Sequence, residues 1–543
     1  MSLRTFLAVA AILVCPVLCA AEESPSSATL NADTLDFWIQ STLERYQVPG
    51  ASVAVIFEGK PLLIKGYGIR DAAQPDAKVD AETLFQLASV SKTFTAAAAA
   101  AMVDAGKLKW HQPVAEILPD FHMGQKFPTK NVTPVDLLTH RAGFKEFFGD
   151  LFDHLGYSRN EILSRIRYVK PAYSFRDHPE YSNIGFFLAG EAAAHANAST
   201  FEALVHSTLL DPLGMNRTGV ATELAESDAN FAKPHARING RPQVLPNNLS
   251  SVFVAAGGLA STAADLSRYL RMLLDKGSLD GEKVLSPEVV EEMFTPVIAS
   301  EIGFAEFPPI DANTGFLYSP GWGVYYYNGH RVLEKGGALD GYRTLIVLVP
   351  EAKLGIAILC NLNLTAFPEA ARAWILQAAF SHTGEADLQA EIFNRGEKLS
   401  ELVMRKPEPP GNAKPLQRPT AAFTGTYKSD LFGEWTIVLN EGTDTRSYPL
   451  IVRAGKAGYP GKIRTWDSDT LAVEWPIFIS IPTEILFHFA AENAPATGFT
   501  FEDYDFARVP CRIVSGCDER RSGFELCKFF GNSVGIMAWP RSY

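Results

Sequence analysis

Two side chains at the start of an alanine-rich helix are suited to nucleophilic catalysis. Ser89 and Lys92 stand three positions apart in ASVSKTFTAAAAAAM, so both project from one face of the predicted helix. The first turn of a helix has unpaired backbone N–H groups, which can stabilise an oxyanion formed at the serine. A desolvated lysine one turn later can accept the serine proton. Because a serine that only caps a helix gives the same pattern, this motif needs partners elsewhere in the chain.

Two later motifs supply such partners. Tyr181 and Asn183 lie in HPEYSNIGFFLAG. The tyrosine can act as a base if two lysines stabilise its phenolate, and the asparagine can bind both Lys92 and a substrate amide. Lys335 opens KGGALDG, where glycines permit close approach and the strand edge can pair with an acyl substrate. Taken singly, the segment with Tyr181 and Asn183 also fits a helix N-cap, and the segment that begins at Lys335 also fits a hairpin with a surface lysine.

The elements around these motifs predict one sheet built from both ends of a domain. Residues 50–69 alternate in strand fashion around a Glu58-Gly59 turn and indicate a β-hairpin. Residues 344–362 contain two β-rich runs around a short turn. The chain between these regions is mostly helical, and the small alanines after Lys92 predict that its helix lies deep in the domain. We therefore expect an α+β domain at residues 22–385.

The pattern changes after residue 385. Residues 386–420 read as a charged amphipathic helix followed by a stiff, proline-rich linker. Residues 421–508 alternate again and predict a small antiparallel β-domain. The tail, residues 509–543, shows no clear periodicity.

Composition and the N-terminus indicate an exported protein that does not bind nucleic acid. The 543 residues carry a formal net charge of −12, which opposes phosphate binding. Residues 1–21 combine Arg4, an apolar run and small residues, and predict a signal peptide cleaved near Ala20 or Ala21. We expect no membrane span in the mature chain and place it in the periplasm or outside the cell.

The cysteines indicate at most one disulfide. Cys360 lies in an apolar strand-like run and is expected to be a buried thiol. Cys511, Cys517 and Cys527 cluster near the C-terminus, where one pair could bridge, but three candidates leave the pairing open. Because no histidine is near and a fourth ligand is missing, we expect no metal there. No cofactor is predicted elsewhere.

The order S-x-x-K, Y-x-N, K-x-G resembles the serine β-lactamase and penicillin-binding superfamily. The tyrosine of the middle motif points to the class C β-lactamase-related branch, which includes D-aminopeptidases, D,D-peptidases and esterases. The resemblance covers roughly residues 35–380 and includes TLFQLASVSKTFTAAA, VTPVDLLTHRAGF, LLDPLGMNRT and AAGGLASTAADLSRYL. It implies a β-lactamase/transpeptidase-like domain, with an antiparallel sheet flanked by helices plus a helical subdomain. The β-domain, with its FTGTY opening, looks like a module often appended to these proteins.

The resemblance implies a role for each site residue. Ser89 would be the acylated nucleophile, and Lys92 and Tyr181 would share the general-base and general-acid work. The remaining implied roles are substrate positioning by Asn183, positive charge and a lowered Tyr181 pKa from Lys335, an oxyanion hole from the N–H groups of Ser89 and Ala338, and a substrate-binding strand that includes Gly337. The block around His140 is structural in this family, and no metal or cofactor is implied.

One residue departs from the family pattern. Many β-lactamases and penicillin-binding proteins carry a hydroxyl residue in the middle of K-x-G, where this chain has Gly336. We therefore expect weaker recognition of β-lactam carboxylates, and a peptidase, including one for D-residues, or an esterase as the leading hypothesis. A class C-type β-lactamase is the alternative within this class. A non-catalytic binding or scaffold protein is the alternative of another class. The small substrate is a peptide, an ester or a β-lactam-like compound, and the oligomeric state stays open.

Overall fold

The structure, a computed structural model, describes residues 30–300, 315–380, 388–477 and 482–510. The predicted signal peptide and the three C-terminal cysteines lie outside these ranges. Over the ranges that are described, no helix is long and apolar enough to cross a membrane.

Most of the helices lie, in chain order, between the first and last strands of the main sheet. In chain order they are α1 Ala32–Arg45, α2 Ser91–Asp104, α3 Val114–Ile117, α4 Lys126–Asn131, α5 Pro134–Leu138, α6 Arg159–Arg165, α7 Asn183–Ala196, α8 Phe201–Val205, α9 Asp211–Leu213, α10 Ala221–Ser227, α11 Val254–Gly257, α12 Ala263–Leu274, α13 Pro287–Phe294, α14 Phe367–Phe380 and α15 Gln389–Met404.

The strands of the first domain include several very short ones. They are β1 Gly50–Phe57, β2 Lys60–Gly68, β3 Phe85–Gln86, β4 Gly219–Val220, β5 His235–Ile238, β6 Arg241–Val244, β7 Leu259–Ser261, β8 Ser278–Leu279, β9 Glu282–Lys283, β10 Ile298–Ala299, β11 Leu317–Ser319, β12 Trp322–Tyr327, β13 His330–Leu339, β14 Tyr342–Val349 and β15 Leu354–Cys360. Those of the C-terminal domain are β16 Gly425–Ser429, β17 Gly433–Leu439, β18 Leu450–Ala454, β19 Tyr459–Asp467, β20 Thr470–Glu474, β21 Thr483–Phe489, β22 Ala496–Phe501 and β23 Tyr504–Arg508.

The main sheet joins both ends of the first domain, as the sequence predicted. Its strand order is β10-β11-β12-β13-β14-β15-β1-β2, and all adjacent pairs are antiparallel. Strand β1 is buried on both faces: Val53 and Val55 pack into the cluster with α1 and α14, whereas Ala54 and Ile56 face the cluster with α12. The sheet is therefore a middle layer, which explains why its central strands are apolar at successive positions. Cys360 at the end of β15 is a buried free thiol, as expected.

The alanine-rich helix α2 lies in the centre of the helical region, as its composition predicted. Every residue from Ser91 to Ala100 is buried. A Cβ added at Gly321 would lie 2.8 Å from Ala96 Cβ, so the turn between β11 and β12 presses directly on the helix. Only small residues allow this approach, and α2 is therefore held firmly against the sheet.

The C-terminal domain is a closed eight-stranded antiparallel barrel, β16 to β23 in chain order. Its core continues into that of the helical subdomain, because Phe432 is fully buried and its ring lies 5.5 Å from that of Phe152 and 6.3 Å from that of Phe148. Tyr157 Oη donates to the Phe432 carbonyl at 3.1 Å. The barrel is thus packed against the first domain over an apolar surface.

Candidate active site

Ser89 lies at a strained entry to α2. It occupies a 3₁₀ turn, Ala88–Val90, and the α-helix itself begins at Ser91, two residues later than the sequence suggested. Ala88 has a φ of 48°, a left-handed conformation that is costly for a residue with a Cβ. Among the residues described, none accepts a hydrogen bond from the Ser89 N–H, so this donor is available to a ligand.

Lys92 is completely buried and is surrounded by three oxygen atoms. Its Nζ lies 3.1 Å from Ser89 Oγ, 2.6 Å from Asn183 Oδ1 and 2.6 Å from the Ala256 carbonyl oxygen. Burial, together with the positive charge of Lys335, holds the Lys92 pKa well below its usual value. The Nζ donates to all three oxygens, and a lysine with a lowered pKa can give up one of these protons and turn its lone pair towards the Ser89 hydroxyl.

Tyr181 reaches the same serine from the other side. Its Oη donates to Ser89 Oγ at 2.5 Å, and its ring lies 4.8 Å from Lys92 Nζ and 5.0 Å from Lys335 Nζ. Burial nevertheless raises the pKa of Tyr181, so the phenol keeps its proton near neutral pH. Loss of hydration therefore sets the direction of this shift, and the lowering contribution expected from Lys335 stays a prediction.

Lys335 is positioned by a residue that the sequence analysis missed. Its Nζ donates to Tyr318 Oη at 2.7 Å, not to Tyr181, and both side chains are buried. Burial lowers the pKa of Lys335 to about 7. Tyr318 stands in a short strand, β11, and no periodicity in its segment could have assigned it to the site.

His140 supports the site without touching Ser89. Its Nε2 lies 3.1 Å from Tyr318 Oη, and its Nδ1 accepts the Ser182 N–H at 3.0 Å. Its ring packs against that of Tyr181 at 4.6 Å. Burial and the two nearby lysines hold the His140 pKa well below its usual value, so the imidazole is neutral. This arrangement agrees with the structural role expected for its block.

The segment before Tyr181 is fixed by a buried carboxylate. Asp136 belongs to a capping box at the start of α5 and binds Arg141 at 2.8 Å and Arg176 at 2.7 Å. Ser182 caps α7 by accepting the Gly185 N–H, so the N-cap interpretation of this motif is also correct. Together these contacts place Tyr181 and Asn183 at the start of a buried helix.

Strand β13 approaches the nucleophile through Gly337. A Cβ at this position would lie 2.4 Å from the Leu87 carbonyl oxygen and 3.1 Å from Ala88 Cβ, so only glycine fits. The pairing of β13 with β12 ends at Glu334, and Lys335 to Leu339 therefore pair only with β14. Ala338, which is exposed, lies on this stretch. At Gly336, in contrast, the nearest atoms to an added Cβ are 3.9 Å away, so a side chain would be accommodated.

A second missed residue, Asp150, completes the site on the side of Asn183. Both of its carboxylate oxygens accept from Asn183 Nδ2, at 3.0 Å and 2.9 Å. It begins a 3₁₀ turn, Asp150–Asp153, directly after Gly149, whose φ is 84°. Burial raises the pKa of Asp150 to about 7. No motif signals this residue, because its partner lies in another element.

The structure thus brings together the serine, both lysines, the tyrosine and the asparagine that three separate motifs contributed. The β-lactamase family profile matches residues 35–380, which is more than half of the chain. An unguisins hydrolase, ungD', from Aspergillus campestris (strain IBT 28561) is 28% identical over 425 residues, which cover 74% of this chain and 77% of that protein.

Solved structures share the fold. The octameric penicillin-binding protein homologue from Pyrococcus abyssi is 22% identical, with a TM-score of 0.54, and the match covers 88% of this chain and all of that one. A class C β-lactamase is 24% identical, with a TM-score of 0.53 over 65% of this chain and 96% of the other. At this identity the likeness concerns the fold alone. On the family match and the geometry that accompanies it, the chain belongs to the β-lactamase family of serine hydrolases.

Proposed function

We propose that this protein is an exported hydrolase that forms an acyl-enzyme on Ser89 and acts on peptides, including those with D-residues, or on simple esters. The observation that carries the proposal is the convergence of two groups on one hydroxyl. Lys92 Nζ lies 3.1 Å and Tyr181 Oη 2.5 Å from Ser89 Oγ. These distances support a nucleophile with a base and an acid already in contact.

Acylation follows from the protonation states of these groups. Neutral Lys92 takes the Ser89 proton as Oγ bonds to the acyl carbon. Tyr181 is a phenol and gives its proton to the leaving group as the scissile bond breaks, and Lys92 then returns its proton to the phenolate. In the second half of the reaction the same pair takes a proton from water as the water oxygen bonds to the ester carbon. The pair then gives that proton to Ser89 Oγ as its bond to the acyl carbon breaks. Over the whole cycle one water is consumed.

The oxyanion would be stabilised by the Ser89 N–H together with the Ala338 N–H. The free Ser89 donor and the tight contact of Gly337 with the Leu87–Ala88 backbone support this assignment. Each such donor is typically worth ~10²–10³ in rate.

The substrate class is argued from the walls of the site. The unpaired edge of β13 from Lys335 to Leu339 offers main-chain groups to an extended peptide. Asn183 can bind the substrate's amide in addition to Lys92. Phe147 is 55% exposed, and its ring lies 5.4 Å from that of Tyr181, which provides an apolar contact for a substrate side chain. Gly336 leaves the K-x-G motif without a hydroxyl for a β-lactam carboxylate.

The test combines labelling with turnover. A fluorophosphonate probe is expected to label Ser89, and p-nitrophenyl esters and D-amino-acid anilides are expected to be hydrolysed. A Ser89→Ala variant should lose both, with turnover reduced by up to ~10⁶-fold. An unlabelled, folded wild-type protein with no turnover would instead support the non-catalytic binding hypothesis.

A class C-type β-lactamase is the second candidate, and the family match supports it. Nitrocefin turnover measured beside the ester and anilide panel decides between the two. A kcat/KM for nitrocefin that exceeds all other substrates would establish the β-lactamase, whereas slow turnover with long-lived acylation supports the peptidase or esterase.

Export is part of the proposal and rests on the first 21 residues. The proposed mature protein consists of a hydrolase domain to residue 385, a connecting segment at 386–420, the barrel domain at 421–508 and a tail. Expression of the full chain in a Gram-negative host, followed by fractionation and N-terminal sequencing, tests it. A periplasmic product that begins at residue 21 or 22 is expected, and an uncleaved cytoplasmic product would contradict export.

A further inference from the structure

Asp150 makes a contact that the catalytic cycle does not use directly. Its two carboxylate oxygens take both of their bonds from one nitrogen, Asn183 Nδ2. A carboxylate only accepts, so it selects the nitrogen end of the asparagine amide. The oxygen end of that amide then faces Lys92 and accepts from its Nζ at 2.6 Å.

The reverse orientation of the amide would disrupt the site. An NH₂ group facing Lys92 would meet an amine, and the amide oxygen would meet the carboxylate, so two donor–acceptor pairs would become two repulsive contacts. Lys92 would then lose one of the three oxygens that hold its Nζ on Ser89 Oγ. The position of the base therefore depends on a side chain that does not itself reach the nucleophile.

We propose that Asp150 is a positioning residue for acylation, which fixes the Asn183 amide so that Lys92 is held on Ser89, and which keeps a negative charge near that amine. The inference rests on the proposed function, because it assigns Lys92 the role of base.

The charges around Asp150 decide when this anchor is ionised. Lys92 faces it from α2 and favours the carboxylate, whereas Asp153 on its own turn and Glu502 on the barrel oppose ionisation. Burial is the largest influence and raises the Asp150 pKa to about 7. In turn, the Asp150 carboxylate raises the Lys92 pKa, against burial and Lys335, which lower it. The charge of each group therefore influences the pKa of the other.

Glu502 is the residue of the barrel domain whose charge acts on Asp150. Glu502 and Asp503 form the two-residue turn between β22 and β23, and both have positive φ values, 47° and 67°. Such a turn usually contains glycine or asparagine, so the backbone is strained here. Lys170 Nζ donates to the Asp503 carbonyl oxygen at 2.6 Å and holds the turn against the helical subdomain.

Two substitutions of Asp150 distinguish the effect of its hydrogen bonds to Asn183 from the effect of its negative charge. Asp150→Asn keeps an acceptor for Asn183 but removes the charge. Asp150→Ala removes both, so the Asn183 amide is free to turn. The readouts are the rate of Ser89 labelling by an uncharged fluorophosphonate and kcat/KM for a neutral p-nitrophenyl ester, each from pH 5 to 9. Circular dichroism and thermal melting verify that the variants are folded.

Asp150→Ala should lower the plateau of both rates by about 100-fold, because misplacement of a catalytic group by about 1 Å has this effect. Asp150→Asn should keep most of the plateau and shift the acid limb to lower pH. The sign follows because Lys92 must be neutral to act, and removal of a nearby negative charge makes its neutral form available at lower pH.

Two controls test whether Asp150 acts through its hydrogen bonds to Asn183. Asp153→Asn removes a carboxylate three residues away that accepts from the Val252 N–H and does not contact Asn183, and should leave the plateau unchanged. In an Asn183→Ala background, Asp150→Ala should cause no further loss. Wild-type profiles in both Asp150 variants would overturn the inference. Failure of the wild-type protein itself to be labelled would instead overturn the proposed function.

Discussion

At the scale of single residues, the site depends on how burial changes the pKa values of a few groups. Burial lowers the pKa of both lysines and raises that of Tyr181. These opposite shifts support the proposed roles of Lys92 as base and Tyr181 as acid near neutral pH. Two predictions concern individual residues, Lys335 and Gly336.

Lys335 is expected to make substrate binding dependent on pH. Its pKa of about 7 means that its positive charge is present below pH 7 and lost as the pH rises above it. The KM for a substrate with a carboxylate should therefore increase between pH 7 and 9, whereas the KM for a neutral ester should stay level. Steady-state kinetics with the two substrates across this range provide the measurement. Parallel changes for both would contradict the assignment.

Gly336→Thr is expected to increase β-lactam hydrolysis. The space at this position accepts a Cβ, and its φ is not in the left-handed region, so the variant should fold. A hydroxyl that bonds a carboxylate contributes about 1.5–3 kcal/mol, which corresponds to at least about a 10-fold gain in kcat/KM for nitrocefin.

Gly337→Ala provides the contrasting variant. Its Cβ would lie 2.3 Å from Thr344 Oγ1, so this change should reduce hydrolysis of every substrate and lower the melting temperature. A gain in nitrocefin turnover from Gly337→Ala, or none from Gly336→Thr in a folded protein, would show that the missing hydroxyl is not the cause of weak β-lactam recognition.

At the scale of elements, α2 and β13 determine the geometry because each approaches its neighbours through its smallest residues. Ala96 meets the turn at Gly321, and Gly337 meets the 3₁₀ turn that carries Ser89. The nucleophile is thus held between a helix, a strand and a tight turn, none of which can shift without a clash.

Ala96→Leu should therefore destabilise the protein. Extra methyl groups in a packed core typically cost about 1–3 kcal/mol, which should lower the melting temperature by a few degrees. Ala101→Leu, on the same helix but only partly buried, should change the melting temperature little. Differential scanning calorimetry measures both, and equal effects would indicate that α2 is packed more loosely than its contacts imply.

At the scale of the whole molecule, the barrel and the hydrolase domain share one hydrophobic core. Phe432 of the barrel contacts Phe148 and Phe152, which lie on either side of Asp150 in the chain. Barrel packing and the position of Asp150 are thus linked, and on the proposed role of Asp150 the barrel would influence catalysis without supplying a reacting group. Its Tyr459 also stacks on His154 of the helical subdomain, at 4.6 Å.

Phe432→Ala is expected to destabilise both domains together. Truncation of a buried phenylalanine typically costs about 3–5 kcal/mol, and the cavity would lie at the junction of the two domains. Thermal loss of esterase activity and unfolding of β-structure should shift to lower temperature by the same amount. Leu486→Ala, whose side chain is 48% exposed on the barrel, serves as the control and should shift neither. Separate shifts would show that the domains unfold independently.

The sequence by itself determined the local elements and named the candidate reacting groups. The hairpin of residues 50–69 follows from its alternation around a turn, and the strands within residues 344–362 follow from two β-rich apolar runs, both of which are local signals. The strand-like runs predicted a sheet built from both ends of the first domain, and the order of motifs predicted the β-lactamase-like fold. The structure and the family match confirm both predictions. The individual catalytic roles stay predictions.

Only the tertiary structure decided which partners position and tune those groups. Tyr318 lies 17 residues from Lys335, Asp150 lies 33 from Asn183, and Phe432 lies 275 from Tyr157. Such contacts have no local pattern, because they form only when separate elements pack. The pKa shifts also depend on burial, which no motif specifies, and burial is why the pKa of Tyr181 lies above its usual value. The sequence therefore named the candidate reacting groups, and packing set their protonation and their partners.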